Sequence, residues 1–141
     1  MKINTVNFGE IEVNENDIIT FDQPIYGFEN DKRYVFMIDE SLNGEFIWLQ
    51  SVDNGALCFV LANPAILPVP YDPSFPEDVS SVIGKGNYEV WLIMVVTDEF
   101  KDSTVNLKSP IVINLDERRA AQFISEDDLA IRYKVFENIK E

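Results

Sequence analysis

The chain has 141 residues, 46% of them hydrophobic, enough to bury one core and too few for a second. Lys plus Arg total 11 against 25 Asp plus Glu, a net charge of −14 with a pI near 4.2, which argues against a phosphate-binding nucleic-acid face and against attachment to an anionic membrane. There is no histidine and one cysteine, Cys58, so His-activated nucleophiles, His-ligated metals, internal disulfides and multi-Cys zinc sites are unavailable.

In chain order, strand signals dominate. Val6 and Phe8, then Ile11 and Val13, alternate with polar residues about Gly9-Glu10 and predict a hairpin with one buried face. Glu10, Glu12, Glu15 and Asp17 form the densest acidic run near the N-terminus, a candidate partner-facing surface whose plainer role is solubility. Ile18-Ile19-Thr20-Phe21 predicts a short strand. The apolar segment Pro24 to Phe28 lies between acidic neighbours. Exposed aromatics ringed by polar residues mark binding sites, so Ile25, Tyr26 and Phe28 are candidate contacts; the alternative is a loop plugging a barrel mouth.

Tyr34 to Ile38 and Phe46 to Gln50 predict strands separated by a turn-rich stretch. Asp53-Asn54-Gly55 predicts a turn before the apolar strand Leu57 to Leu61. Ile66-Leu67-Pro68-Val69-Pro70 reads as an extended edge protected by prolines. Ser74-Phe75-Pro76-Glu77 fits a capping box with Ser74 as N-cap, and Val79, Val82 and Ile83 fall at helical spacing before Gly84. Glu89 to Thr97 is the longest apolar run and predicts a central strand buried on both faces. Thr104 to Leu107 and Ile111 to Asn114 predict two more strands. Ala121 to Ile124 and Leu129 to Val135 predict a closing hairpin across Ser125 to Asp128.

These elements predict an all-β fold, a mainly antiparallel barrel-like domain over residues 1–141 with one short helix near 75–83. No repeat, low-complexity tract or dividing linker is present. The start Met1-Lys2-Ile3-Asn4 lacks an apolar signal core and no segment approaches 18 apolar residues, so a cytoplasmic protein is expected.

The segment Thr104-Val105-Asn106-Leu107-Lys108-Ser109-Pro110-Ile111-Val112-Ile113-Asn114 closely resembles the TVNLxAPIVIN segment of the FliW family of flagellar assembly factors. Phe46 to Ser51 resembles that family's F-x-x-LQS strand, Phe59 to Pro64 its F-x-V-x-x-P strand, and Ala121 to Ile124 its A-x-Q-V-I/L strand. Tyr71 and Ile131-Arg132-Tyr133 also agree. Phe21 with Gly27-Phe28 resembles the F-x-x-G-L/I-P-G-F segment, with Pro24 in place of its first glycine and Tyr26 in place of its proline. Ser109 stands where alanine is usual. The resemblance implies a β-barrel-like binding protein of the bacterial cytosol whose partners are flagellin and the dimeric translational repressor CsrA. It further implies that flagellin sequesters the protein, and that once freed it antagonises CsrA away from the RNA face, relieving repression of flagellin translation. No cofactor and no metal are implied, and no direct nucleic-acid or membrane partner.

Several residues carry two readings. Asn106 is a candidate partner contact; the favoured structural role is satisfying backbone groups in the turn toward Pro110. Gln50 and Gln122, at the ends of apolar strands, are expected to tie barrel seams. Trp48 and Trp91 are expected in the core, Cys58 as an inert core thiol, and Arg132 in solvent. Glu126-Asp127-Asp128 has no calcium-loop spacing and reads as a charged turn. The competing functional class is a small carboxylate-dependent enzyme, metal-assisted or not. A flavin- or ligand-binding split barrel is a third, disfavoured by the scarcity of bases to hold phosphate.

Overall fold

The computed structural model describes residues 1–68, 70–96, 99 and 102–136. In chain order its strands are β1 (Lys2–Thr5), β2 (Gly9–Glu12), β3 (Ile19–Gln23), β4 (Arg33–Met37), β5 (Phe46–Ser51), β6 (Cys58–Ala62), β7 (Tyr88–Val95), β8 (Thr104–Val105), β9 (Ile111–Asn114), β10 (Arg119–Gln122) and β11 (Tyr133–Lys134), with the helix α1 (Val79–Ile83) before β7. Seven strands close a ring in the order β7-β6-β5-β4-β3-β10-β9 and back to β7. Every seam is antiparallel except β3–β10, which is parallel and carries a bulge between Ala120 and Ala121. Strand β7 is long enough to serve two neighbours beside β6. Tyr88 to Trp91 pair with β9, and Met94 and Val95 pair with β8.

Period-two alternation decides the packing. Ile19 and Phe21 of β3, Tyr34 of β4, Ile47 and Leu49 of β5, Leu61 of β6, Trp91 of β7, and Ile111 and Ile113 of β9 point into the barrel. The intervening residues are apolar too, so the outer wall needs cover. Val35 and Met37 lie under the β1–β2 hairpin through Val13, Ile3 and Ile11. Val112 and Ala121 lie under α1, packed by Ile83 and Val82. Leu92 and Met94 lie under Ile66, Leu67, Tyr71 and Tyr133. The hairpin approaches the barrel closely at Gly55: a Cβ there would sit 2.0 Å from the Asn4 carbonyl oxygen, so only glycine fits the contact.

Most predicted strands are present with shifted ends, and four local readings change. The N-terminal hairpin turns at 6–8, so Val6 is 75% exposed rather than inward-facing. The helix starts at Val79, and its N-cap is Asp78, whose side chain accepts the Ser80 N–H. Ser74 instead joins the 125–127 turn: its N–H donates to Asp127 Oδ2 at 2.8 Å and its carbonyl accepts the Ser125 hydroxyl at 2.8 Å. The predicted closing hairpin does not form, because β10 pairs with β9 and β3 while β11 pairs with β8. Of the predicted edge 66–70, Ile66 closes the 3-10 turn Pro64–Ile66 while Leu67 is extended. Val69 of that edge and Thr97 of the predicted central strand lie outside the described residues.

Candidate functional site

The segment 24–28 joins β3 to the chain that returns as β4. Of Ile25, Tyr26 and Phe28, only Tyr26 and Phe28 reach the surface. Ile25 is 2% exposed and belongs to the barrel core, so it is no contact residue. Tyr26 is 81% exposed. Phe28 is 38% exposed and sets its ring edge-on against Phe59 at 5.1 Å between centroids. Hydrogen bonds at both ends hold the loop. Phe28 N–H donates to the Ile25 carbonyl at 2.8 Å, closing a turn in which Gly27 adopts φ 92°, the conformation glycine supplies in type II turns. Gly27 N–H donates to Glu29 Oε1 at 3.1 Å. Tyr26 N–H donates to Gln122 Oε1 at 2.7 Å.

Gln122 reaches in two directions, since its Nε2 also donates to the Ser109 carbonyl at 3.1 Å. It therefore joins the Tyr26 loop to the turn after β8. In that turn Asn106 Oδ1 accepts the N–H groups of Lys108 and Ser109, each at 3.0 Å. This is the structural role favoured for Asn106, and the side chain is half-buried. Lys108 Nζ donates to the Asp127 carbonyl, and the Tyr71 hydroxyl donates to the Leu107 carbonyl. Burial, with a lesser push from Asp127, holds the Tyr71 phenol above its usual range, so it stays a donor. Gln50 is a second amide of this kind. It is fully buried, and its Nε2 serves the carbonyls of Ser51 and Leu57 at 3.0 and 3.1 Å, closing the β5–β6 turn.

Glu10, Glu12, Glu15 and Asp17 are all exposed, on β2 and the 3-10 turn Glu15–Asp17. Lys2 Nζ lies 3.8 Å from Glu10 and the N-terminal amine 3.5 Å from Glu12. These long, exposed contacts leave the strip strongly negative. Elsewhere Arg33 makes a two-pronged bond to Asp53, and Arg119 Nε donates to Asp22 Oδ2 at 2.7 Å. Among the described residues, no group of three or more His, Cys, Asp or Glu side chains is gathered as a metal ligand set would be, and no helix is long and apolar enough to cross a membrane.

Two aromatic and thiol placements differ from expectation. Trp91 is in the core, 7% exposed, but Trp48 is half-buried on the outer wall, edge-on to Phe8. Cys58 is also half-buried on that outer wall, where burial raises its thiol pKa and a hydrogen bond from Asn7 partly offsets this. The signal was legible: Phe46-Ile47-Trp48-Leu49 is apolar on both faces, and a barrel interior accepts only one.

Comparison with known proteins agrees with this geometry. The family model described as FliW protein matches residues 2–135. A flagellar assembly factor FliW of Syntrophus aciditrophicus is 37% identical over 142 residues, covering 98% of this chain and 89% of that protein. One of Caldicellulosiruptor saccharolyticus is 34% identical over 136 residues, covering 94% and 88%. A solved structure, the crystal structure of the flagellar assembly factor FliW, superposes with a TM-score of 0.87 at 33% identity, covering 99% of this chain and all of that one.

Proposed function

Because the chain belongs to the FliW family of flagellar assembly factors, we propose that it acts in the cytoplasm by binding proteins rather than by catalysis, with flagellin and the repressor CsrA as its partners. Bound to flagellin, it masks an assembly-prone segment of that subunit. Freed when flagellin leaves, it binds CsrA and relieves repression of flagellin translation. The observation that carries the reading is Tyr26, an aromatic 81% exposed on a loop whose backbone is hydrogen-bonded to Gln122. A large amphipathic side chain presented on a braced backbone loses little conformational entropy on binding, the property of interface hot spots. Phe28 extends that surface, and Ile25 anchors it from within.

The acidic strip Glu10, Glu12, Glu15 and Asp17 supports a role in approach. CsrA, as an RNA-binding dimer, carries basic residues, and a partner at −14 attracts it over long range and raises the association rate. The test is a pull-down from the native cytosol with the intact chain as bait, beside a Tyr26→Ser bait. Flagellin and CsrA are expected with the first, and less flagellin with the second. Recovery of neither protein by the intact chain refutes the reading. For CsrA, raising salt from about 50 to 500 mM shrinks the Debye length from roughly 14 to 4 Å and is expected to slow association more than dissociation.

A further inference from the structure

The outer face of β5, β6 and β7 carries a groove of about 500 Å³ that the reading above does not use. Its floor follows from strand register. Trp48 stands opposite Val60, and Val60 opposite Met94, so three large apolar side chains form one row across three strands. Phe46 lies one alternation away on β5, Leu42 edges the groove from the turn before it, and Val96, 51% exposed, edges it from the end of β7. The β1–β2 hairpin on one side and Ile66, Leu67 and Tyr71 on the other cover the neighbouring wall; within the strip Trp48 and Val60 are half-buried, Phe46 packs on Phe136, and Met94, at the floor, is 5% exposed. A concave strip lined by apolar side chains is the usual form of a binding groove.

The charge around it is one-sided. Around Leu42 and Phe46, residues 34–46 contain Asp39, Glu40 and Glu45 and no Lys or Arg. Asp39, Glu40 and Glu45 are exposed beside Leu42 and Phe46. Hydrogen bonds from Ser41 hold the Asp39 carboxyl below its usual range, so it stays ionised. An apolar floor beside acidic residues repels an acidic segment, offers a neutral-polar one no partner for the groups it desolvates, and complements one whose apolar side chains lie between cations. We infer that this groove is a docking site for a short segment of a partner protein carrying aliphatic or aromatic side chains flanked by Lys or Arg. The inference does not depend on which protein supplies the segment or on the Tyr26 loop.

Cys58 lines the groove and is the chain's one thiol, so its alkylation by iodoacetamide reports occupancy in the native chain. The probe is a synthetic peptide, Lys-Lys-Leu-Ile-Phe-Leu-Lys-Lys, beside a counterpart with Glu in place of every Lys. When the Lys-flanked peptide fills nine-tenths of the sites, alkylation is expected to slow about tenfold, since only free protein reacts. The Glu-flanked peptide at the same concentration is expected to leave the rate unchanged. Val60→Lys, which sets a cation at the centre of the row, is expected to abolish protection while the circular dichroism spectrum stays that of the native chain. Equal protection by both peptides, or by neither, overturns the inference. So does a folded Val60→Lys protein protected as well as the native one. Should Val60→Lys fail to fold, the paired peptides on the native chain still decide it.

Discussion

The backbone N–H of Tyr26 donates to the side-chain carbonyl of Gln122 at 2.7 Å, across 96 positions of sequence. The F-x-x-G-L/I-P-G-F segment that this loop resembles has proline at the position of Tyr26, and only a residue with an N–H can make that bond. The position precedes Gly27 in a turn that proline suits. The substitution therefore exchanges proline's fixed φ for a hydrogen bond to β10.

This exchange separates two variants of Gln122. Gln122→Ala leaves both the Tyr26 N–H and the Ser109 carbonyl without a partner, and is expected to cost about 1 kcal/mol in a part-exposed setting. Gln122→Glu keeps the acceptor for Tyr26 and loses the donor to Ser109. Flagellin binding is expected to weaken more for the alanine variant than for the glutamate one. Urea melts and calorimetric titration give both numbers, and equal binding loss in the two variants would show that anchoring Tyr26 is irrelevant.

The 25–28 segment should dissociate into a structural and a binding part. Tyr26→Ser is expected to change stability by less than about 0.5 kcal/mol, as for exposed positions generally, while weakening flagellin binding by more than about tenfold. Ile25→Ser empties a buried site and is expected to cost about 2–4 kcal/mol. Phe28→Ser should lie between, losing its contact with Phe59. A Tyr26→Ser protein that binds flagellin normally moves the interface elsewhere.

Asn114 is fully buried at the end of β9, and all its hydrogen-bonding capacity is used. Its Nδ2 donates to the carbonyls of Ile83 and Lys85 at 2.9 and 3.2 Å, and its Oδ1 accepts the N–H groups of Asp116 and Glu117 at 3.1 and 3.2 Å. It holds the end of α1 to the β9–β10 turn. Asn114→Ala is expected to cost about 2–3 kcal/mol by leaving buried backbone groups unpaired. Asn114→Asp also destabilises, since a carboxylate would face two carbonyls. A thermal melt within a degree or two of the native value for either variant would contradict this.

Arg33 Nε donates to Asp53 Oδ2 at 3.1 Å beside a second guanidinium bond. The bond first, and the charge with it, holds the Asp53 carboxyl below its ordinary value. A carboxyl with a lowered folded-state pKa stabilises the protein above its unfolded value of about 3.9 and loses that contribution as pH falls through the folded value. Both side chains are nearly half exposed, so the pair is worth about 0–1 kcal/mol. A double-mutant cycle of Arg33→Ala and Asp53→Ala should show coupling at neutral pH that shrinks below about pH 4. Coupling that is constant through that range would remove the carboxylate as its source.

Alternation in the chain was sufficient to determine an all-β protein, because strands apolar on both faces need a closed interior and an outer cover. The Thr104 to Asn114 motif was sufficient to suggest the family, and the tying roles of Gln50, Gln122 and Asn106 follow from amides placed at strand ends. Alternation specifies faces, however, and not partners. Whether β10 turns back onto β11 or lies parallel to β3 depends on which pairing closes the ring, and that is decided by contacts far apart in sequence. The same holds for the helix: Ser74 and Asp78 both carry cap chemistry, and Ser74 is taken by Asp127 and Ser125 from the far end of the chain. It holds most sharply at Ile25 and Tyr26. As neighbours in one apolar segment they are equivalent in sequence; Ile25 lies inside and Tyr26 outside because barrel closure brings the core against one and the amide of Gln122 against the backbone of the other.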